Sequence, residues 1–105
     1  MARETEHMAV LFADISDSSY LYKTLGDVPA RGIVNSCLAL MSSVIVRYKG
    51  RIIKTIGDEI MCAFARPDDA VLAASDIQVQ VDAKRPGGRH IKIHSGLHYG
   101  PVLVE

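Results

Sequence analysis

Hydrophobic and polar positions change period several times along the chain, and each change marks an element. Residues 8–15, Met-Ala-Val-Leu-Phe-Ala-Asp-Ile, form an almost unbroken apolar run. A run apolar at successive positions is covered on both faces, so this segment predicts a central strand. Ser16-Asp17-Ser18-Ser19 follows. Ser and Asp favour helix N-caps, which predicts a short helix from here to near Gly26. A second helix is predicted from about Ala30 to Tyr48, with Pro29 close to its first turn. Val34, Leu38, Met41, Ile45 and Tyr48 recur at helical spacing, and Cys37 and Val44 widen that stripe into a core-facing surface. Two apolar runs then flank Gly57-Asp58, a strong β-hairpin signal. Thr55, Ile56, Ile60 and Phe64 suit its strands.

Pro67-Asp68-Asp69 opens a third helix, with proline in the first turn and acids at the positive end of the dipole. Ala70, Ala73, Ala74, Ile77 and Val81 trace its buried stripe. From His90 to about Tyr99 the pattern alternates as a strand does. Ile91, Ile93, Ser95, Leu97 and Tyr99 take one face; His90, Lys92, His94, Gly96 and His98 take the other. Gly100-Pro101 reads as a turn before a new apolar run at Val102. Met1 to His7 is polar and reads as a flexible N-terminus. The expected order is βααββαβ, an α+β fold with an antiparallel sheet.

Composition narrows the function classes. The 105 residues fit one domain with a modest core, and 49% of them are hydrophobic, which excludes disorder. Twelve basic and twelve acidic side chains cancel, which argues against a general nucleic-acid binder. The predicted strands also lack the paired surface aromatics of an RNA-binding sheet. No apolar run is expected to cross a membrane, and no signal peptide is read. Cys37 and Cys62 fall in a predicted helix and strand and read as buried reduced thiols, as in a cytoplasmic protein. The basic cluster Arg47, Lys49 and Arg51 near a helix end reads as solvated.

The candidate chemistry is a pair of carboxylates. Asp14 ends the first apolar run, where an unpaired acid is costly. Asp58 stands at the hairpin tip. If the second hairpin strand runs antiparallel beside the first strand, the two acids lie at adjoining ends and can hold a hard divalent cation. On the plainer reading Asp58 is only a good turn former. The turn at Ser16, Asp17, Ser18 and Ser19 is either simple capping or a helix N-terminus that takes phosphate. Lys54 alone reads as a solvated strand lysine, and Glu59 as a surface or supporting carboxylate. His90, His94 and His98 rise about 13 Å apart on a strand, too far to share one ion, and read as solvated or interface residues.

Phe12-Ala13-Asp14-Ile15 followed by Lys54-Thr55-Ile56-Gly57-Asp58-Glu59 resembles the class III adenylate/guanylate cyclase catalytic domain. The intervening helices and Ile91-Lys92-Ile93-His94-Ser95-Gly96-Leu97-His98-Tyr99-Gly100-Pro101-Val102 fit that family in order. The likeness runs over 8–105 and implies a cyclase homology domain, a ferredoxin-like palm without its final strands. It implies conversion of ATP to 3′,5′-cyclic AMP and pyrophosphate. Asp14, Asp58 and the Ile15 carbonyl would hold two Mg²⁺ or Mn²⁺ ions, and the turn at Ser16–Ser19 would take the triphosphate. Lys54 would read adenine in the partner's site of a head-to-tail homodimer, which favours ATP over GTP, because guanylate cyclases carry Glu there. The family usually has Gly where Asp17 stands. Its later part supplies a second base-reading residue and an Asn and Arg for the transition state; these lie beyond residue 105. Two alternatives stay open: a catalytically silent cyclase-like nucleotide-binding or dimerisation module, and, through Ile56-Gly57-Asp58-Glu59, a diguanylate cyclase.

Overall fold

A computed structural model describes residues 4–104. Seven main elements follow one another: β1 (Glu4–Ile15), α1 (Ser18–Leu25), α2 (Asp27–Arg47), β2 (Arg51–Ile56), β3 (Glu59–Phe64), α3 (Pro67–Lys84) and β4 (Ile93–Val104), with a short 3₁₀ turn at Pro86–Gly88. The four strands make one antiparallel sheet in the order β2-β3-β1-β4. The predicted βααββαβ order and the α+β class are therefore the observed ones.

Alternation along the strands sorts the sheet into two faces. Ala9, Leu11, Ala13 and Ile15 of β1 and Ile60, Cys62 and Phe64 of β3 point to one face, where α2 and α3 cover them. From α2 come Ile33, Val34, Cys37, Met41, Val44 and Ile45; from α3 come Ala70, Ala73, Ile77 and Val81. The alanines let α3 approach the sheet closely. Phe12, Asp14, Glu59 and Met61 belong to the opposite, helix-free face.

The helix stripes match expectation, but α2 starts earlier, at Asp27. Gly26 takes φ 84°, a conformation glycine adopts at no steric cost, and it separates α1 from α2 without a longer loop. In 18 of its residues α2 reaches a mean hydropathy of 1.4, so by length and composition alone it could cross a membrane, contrary to the sequence expectation. Its apolar stripe lies in the core described above. Arg47, expected to be solvated, bonds Asp76 of α3 at 3.2 Å, and the Tyr48 hydroxyl donates to the same carboxylate. That network ties α2 to α3 and raises the Tyr48 pKa, chiefly through loss of solvation and then through Asp76.

Two further expectations are corrected. Residues 4–7 are not a frayed end but the first part of β1, paired from Glu4↔Val104 onward; residues 1–3 lie outside the described range. Gly100-Pro101 is not a turn: β4 runs through it without a register shift. Ser16 N–H donates to the Lys92 carbonyl, so even-numbered β4 residues bond β1 and odd-numbered ones face the outer edge. Pro101 is odd-numbered, so its missing N–H removes no ladder bond.

Candidate functional site

Both acids stand where the fold brings β1 and the hairpin together. β3 pairs with β1 in the register Leu11↔Cys62, Ala13↔Ile60 and Asp14↔Glu59. Asp58 is thus one residue past the cross-strand neighbour of Asp14. The hairpin turn is tight: Ile56 pairs with Glu59 across Gly57 and Asp58. Of these two, only Gly57 has positive φ, at 57°, as a turn with glycine at its first central position requires.

On the other side of β1, Asp14 pairs with His94 of β4. Glu59, Asp14 and His94 therefore form a row across three strands on the helix-free face. They line one open cavity of about 290 Å³ together with Phe12, Ser95 and Gly96. Asp58 lines a different cavity, of about 360 Å³, with Ser18, Tyr22, Arg31, Asn35 and Gly57. Ser16 and Asp17 line a third, of about 270 Å³, beside Arg89, His90 and Lys92. Ser19 is exposed in the first turn of α1. Lys54 is exposed on β2 opposite Met61, just after a register shift, and stands two strands away from Asp14.

The structure thus sets Asp14 and Asp58 at adjoining strand ends, each bordering a different open cavity, and it spreads Ser16, Asp17 and Ser18 over two cavities. Glu59, expected as a surface or supporting carboxylate, and His94, expected as a solvated or interface residue, flank Asp14. Strand register alone locates both, since each is directly opposite Asp14 on a neighbouring strand. Arg31 and Asn35, at helical i,i+4 spacing on α2, were not singled out at all, and nothing local in the sequence links them to Asp58.

Among the described residues, no three His, Cys, Asp or Glu side chains converge closely enough to form a metal cage. The groups that would meet a metal, the Asp14 and Asp58 carboxylates and the Ile15 carbonyl, are all hard oxygen donors. That chemistry fits Mg²⁺ or Mn²⁺, because a small hard cation is held by one or two carboxylates and keeps its other positions for phosphate and water.

The turn after β1 is built unusually. Asp17 is the N-cap of α1 and adopts φ 58°, ψ 33°, the left-handed region, with no side-chain bond to the helix. Its carbonyl accepts from the N–H groups of Tyr20 and Leu21. The Asp17 carboxylate is therefore not consumed by capping and stays exposed at the helix N-terminus. The two thiols are inert by comparison. Cys37 and Cys62 are buried and unpaired; burial pushes their pKa values up to about 11 and about 12.

The sheet thus carries helices on one face and sets acids where β1 meets the β2–β3 hairpin. The adenylate and guanylate cyclase catalytic domain model matches residues 1–105, and the chain belongs to that family. An uncharacterised protein of Mycobacterium tuberculosis is 33% identical over 95 residues, covering 89% of this chain but only 24% of that protein. Among solved structures, a bacterial light-regulated adenylyl cyclase superposes with a TM-score of 0.86 at 25% identity, over 94% of this chain and 56% of that one. The adenylyl cyclase CyaB from P. aeruginosa gives 0.88 at 22% identity, over 100% and 61%. The guanylate cyclase domain of RhGC from Catenaria anguillulae in complex with GTP gives 0.80 at 24% identity, over 94% and 59%. The chain thus spans about a quarter of that relative's length and less than two thirds of these structures.

Proposed function

We propose that this chain forms part of the catalytic domain of a nucleotide cyclase that converts ATP to 3′,5′-cyclic AMP and pyrophosphate at a homodimer interface. The observation that carries the reading is the placement of Asp14 at the end of a central strand with Asp58 on the adjoining hairpin tip. Asp14, Asp58 and the Ile15 carbonyl are the groups that would hold two Mg²⁺ or Mn²⁺ ions. Such ions, when bound, stabilise the attacking and leaving oxygens of an in-line displacement.

The chain's own residues bind and orient. Ser16, Ser18 and Ser19 present hydroxyls, and Ser18 and Ser19 also the first helix N–H groups, to the triphosphate, so that the ribose 3′-hydroxyl is held in line with the α-phosphorus. Attack by the 3′-oxygen forms the cyclic ester bond as the bond to pyrophosphate breaks, and the hydroxyl proton passes to solvent. Lys54, exposed on the edge strand β2, is free to reach adenine in the partner's site. ATP is preferred on the strength of that lysine, although both adenylyl and guanylyl cyclases share the fold.

Purified protein with Mn²⁺ and either ATP or GTP, assayed for cyclic product, tests the reading. Cyclic AMP lost on Asp14→Ala supports it; full activity in that variant ends it. A second reading, a silent nucleotide-binding or dimerisation module, is favoured by the free Asp17 carboxylate, which repels a triphosphate at the helix N-terminus. Metal-dependent nucleotide binding without product would select it.

A further inference from the structure

Gln78 lies on α3, away from the acids, yet its carboxamide makes three hydrogen bonds. Its Nε2 donates to the Ile91 carbonyl at 3.0 Å and to Asp82 Oδ1 at 2.9 Å, and its Oε1 accepts from the Ile93 N–H at 2.9 Å. Only one amide orientation works. The flipped one would set oxygen against the Ile91 carbonyl and N–H against N–H at Ile93. The side chain thus imitates a neighbouring strand along the outer edge of residues 91–93. On the inner edge of the same three residues, the Lys92 carbonyl accepts from the Ser16 N–H at 2.9 Å. Ile93 is also the residue that pairs with Ile15, and His94 pairs with Asp14. A helix side chain on one edge and the β1–α1 turn on the other therefore grip one short segment of backbone.

We propose that Gln78 is a positioning residue for the β1–α1 turn, acting through Ile91–Ile93 and the Lys92–Ser16 bond to hold the turn at the height where it meets phosphate. The phosphate part rests on the function proposed above; the mechanical part does not. Without the clamp, the Ile91 carbonyl and Ile93 N–H lose their partners and the segment gains freedom to slide along β1. Ser16 then loses its fixed acceptor.

The test uses Gln78→Met, which keeps the length and removes the polar atoms. Gln78→Glu is the second variant: it keeps the acceptor for Ile93 but sets a carboxylate against the Ile91 carbonyl and Asp82. Asp76→Ala is the control, because it breaks the α2–α3 network on the same helix and leaves the clamp intact. In both Gln78 variants, amide hydrogen exchange at Ser16 and Ile93 is expected to accelerate about tenfold, the scale of one or two lost hydrogen bonds. The dissociation constant for Mn–ATP is expected to rise by a similar factor. Asp76→Ala is expected to lower Tm while leaving Ser16 exchange and Mn–ATP affinity at wild-type values. Ser16 exchange unchanged in both Gln78 variants, or accelerated equally in the control, overturns the proposal. A wild-type chain that binds no Mn–ATP removes the nucleotide reading alone, since Ser16 exchange still decides the clamp.

Discussion

The central strands and the edge strands obey the same alternation yet end in different environments. On β1 and β3 every helix-facing residue from Ala9 to Ile15 and from Ile60 to Phe64 is buried. Ile91, just before β4, and Ile93 at its start are buried, but Leu97, Tyr99 and Leu103, in the same phase, are 44%, 49% and 61% exposed. On β2, at the other edge, Ile52 packs against the core opposite Cys62, whereas Ile56, opposite Glu59, belongs to the helix-free face and is exposed. The residue types do not differ enough to explain this. What differs is cover: α2 and α3 lie over β3, β1, part of β2 and the start of β4, and leave the later, exposed positions of β4 uncovered. Strand pattern chooses a face; packing partners decide whether that face is dry.

The sharpest way to break the comparison is at the acids, since Asp14 is on a central strand and Lys54 on an edge. Asp14→Ala or Asp58→Ala, assayed in a polypeptide carrying the whole domain, is expected to lower metal-dependent turnover by at least about 100-fold, the scale set by losing a transition-state charge stabiliser. Lys54→Glu is expected to keep turnover and shift the preferred base from adenine toward guanine, read as the ratio of cyclic products from ATP and GTP. Equal losses in all three variants would erase the distinction.

Stability separates the regions next. Ile60→Ala, at a fully buried central position, is expected to cost about 2–5 kcal/mol in urea unfolding. Leu97→Ala, in the same phase on the exposed edge, is expected to cost under about 0.5 kcal/mol.

The core between α2 and the central strands also carries a pH dependence. Cys37 and Cys62 have folded pKa values raised from the ordinary 9.0 to about 11 and about 12. Between the unfolded and folded values only the unfolded chain loses the thiol proton, so stability is full below pH 9 and falls as pH rises through that window. The slope is roughly 1.4 kcal/mol per pH unit for each thiol, and Cys62→Ala should flatten it.

Smaller effects sharpen the picture at turns. A Cβ on Gly50 would stand 2.6 Å from Phe64 Cε2 and 2.7 Å from Ile45 Cγ2, and the Phe64 ring is buried, so Gly50→Ala is expected to cost about 1–3 kcal/mol. Asp17→Gly relieves the left-handed backbone and is expected to add roughly 0.5 kcal/mol in thermal unfolding. It also removes a negative charge from the α1 N-terminus, so Mn–ATP affinity should rise in the same variant.

Local chemistry made much of this chain legible in advance. The Gly57-Asp58 turn, the Pro67 helix start and the stripes on α2 and α3 are set by short-range sterics and by period, both of which a sequence displays. Asp14 stood out because a carboxylate ending an apolar run conflicts with its surroundings. The errors occurred where pairing overrode composition. Polar residues 4–7 joined a strand because the far end of β4 offers partners, and Gly100-Pro101 stayed extended because the proline nitrogen faces the free edge.

Residue order alone determined the element types, the α+β class, the core stripes and the two acids, since these depend on neighbours within a turn or two. Only the tertiary structure decided that Asp14 lies between Glu59 and His94, that Asp58 shares a cavity with Arg31, and that Gln78 reaches the segment holding Ser16. Those relations join residues far apart in the chain through strand register and helix placement, and neither leaves a local mark on the sequence.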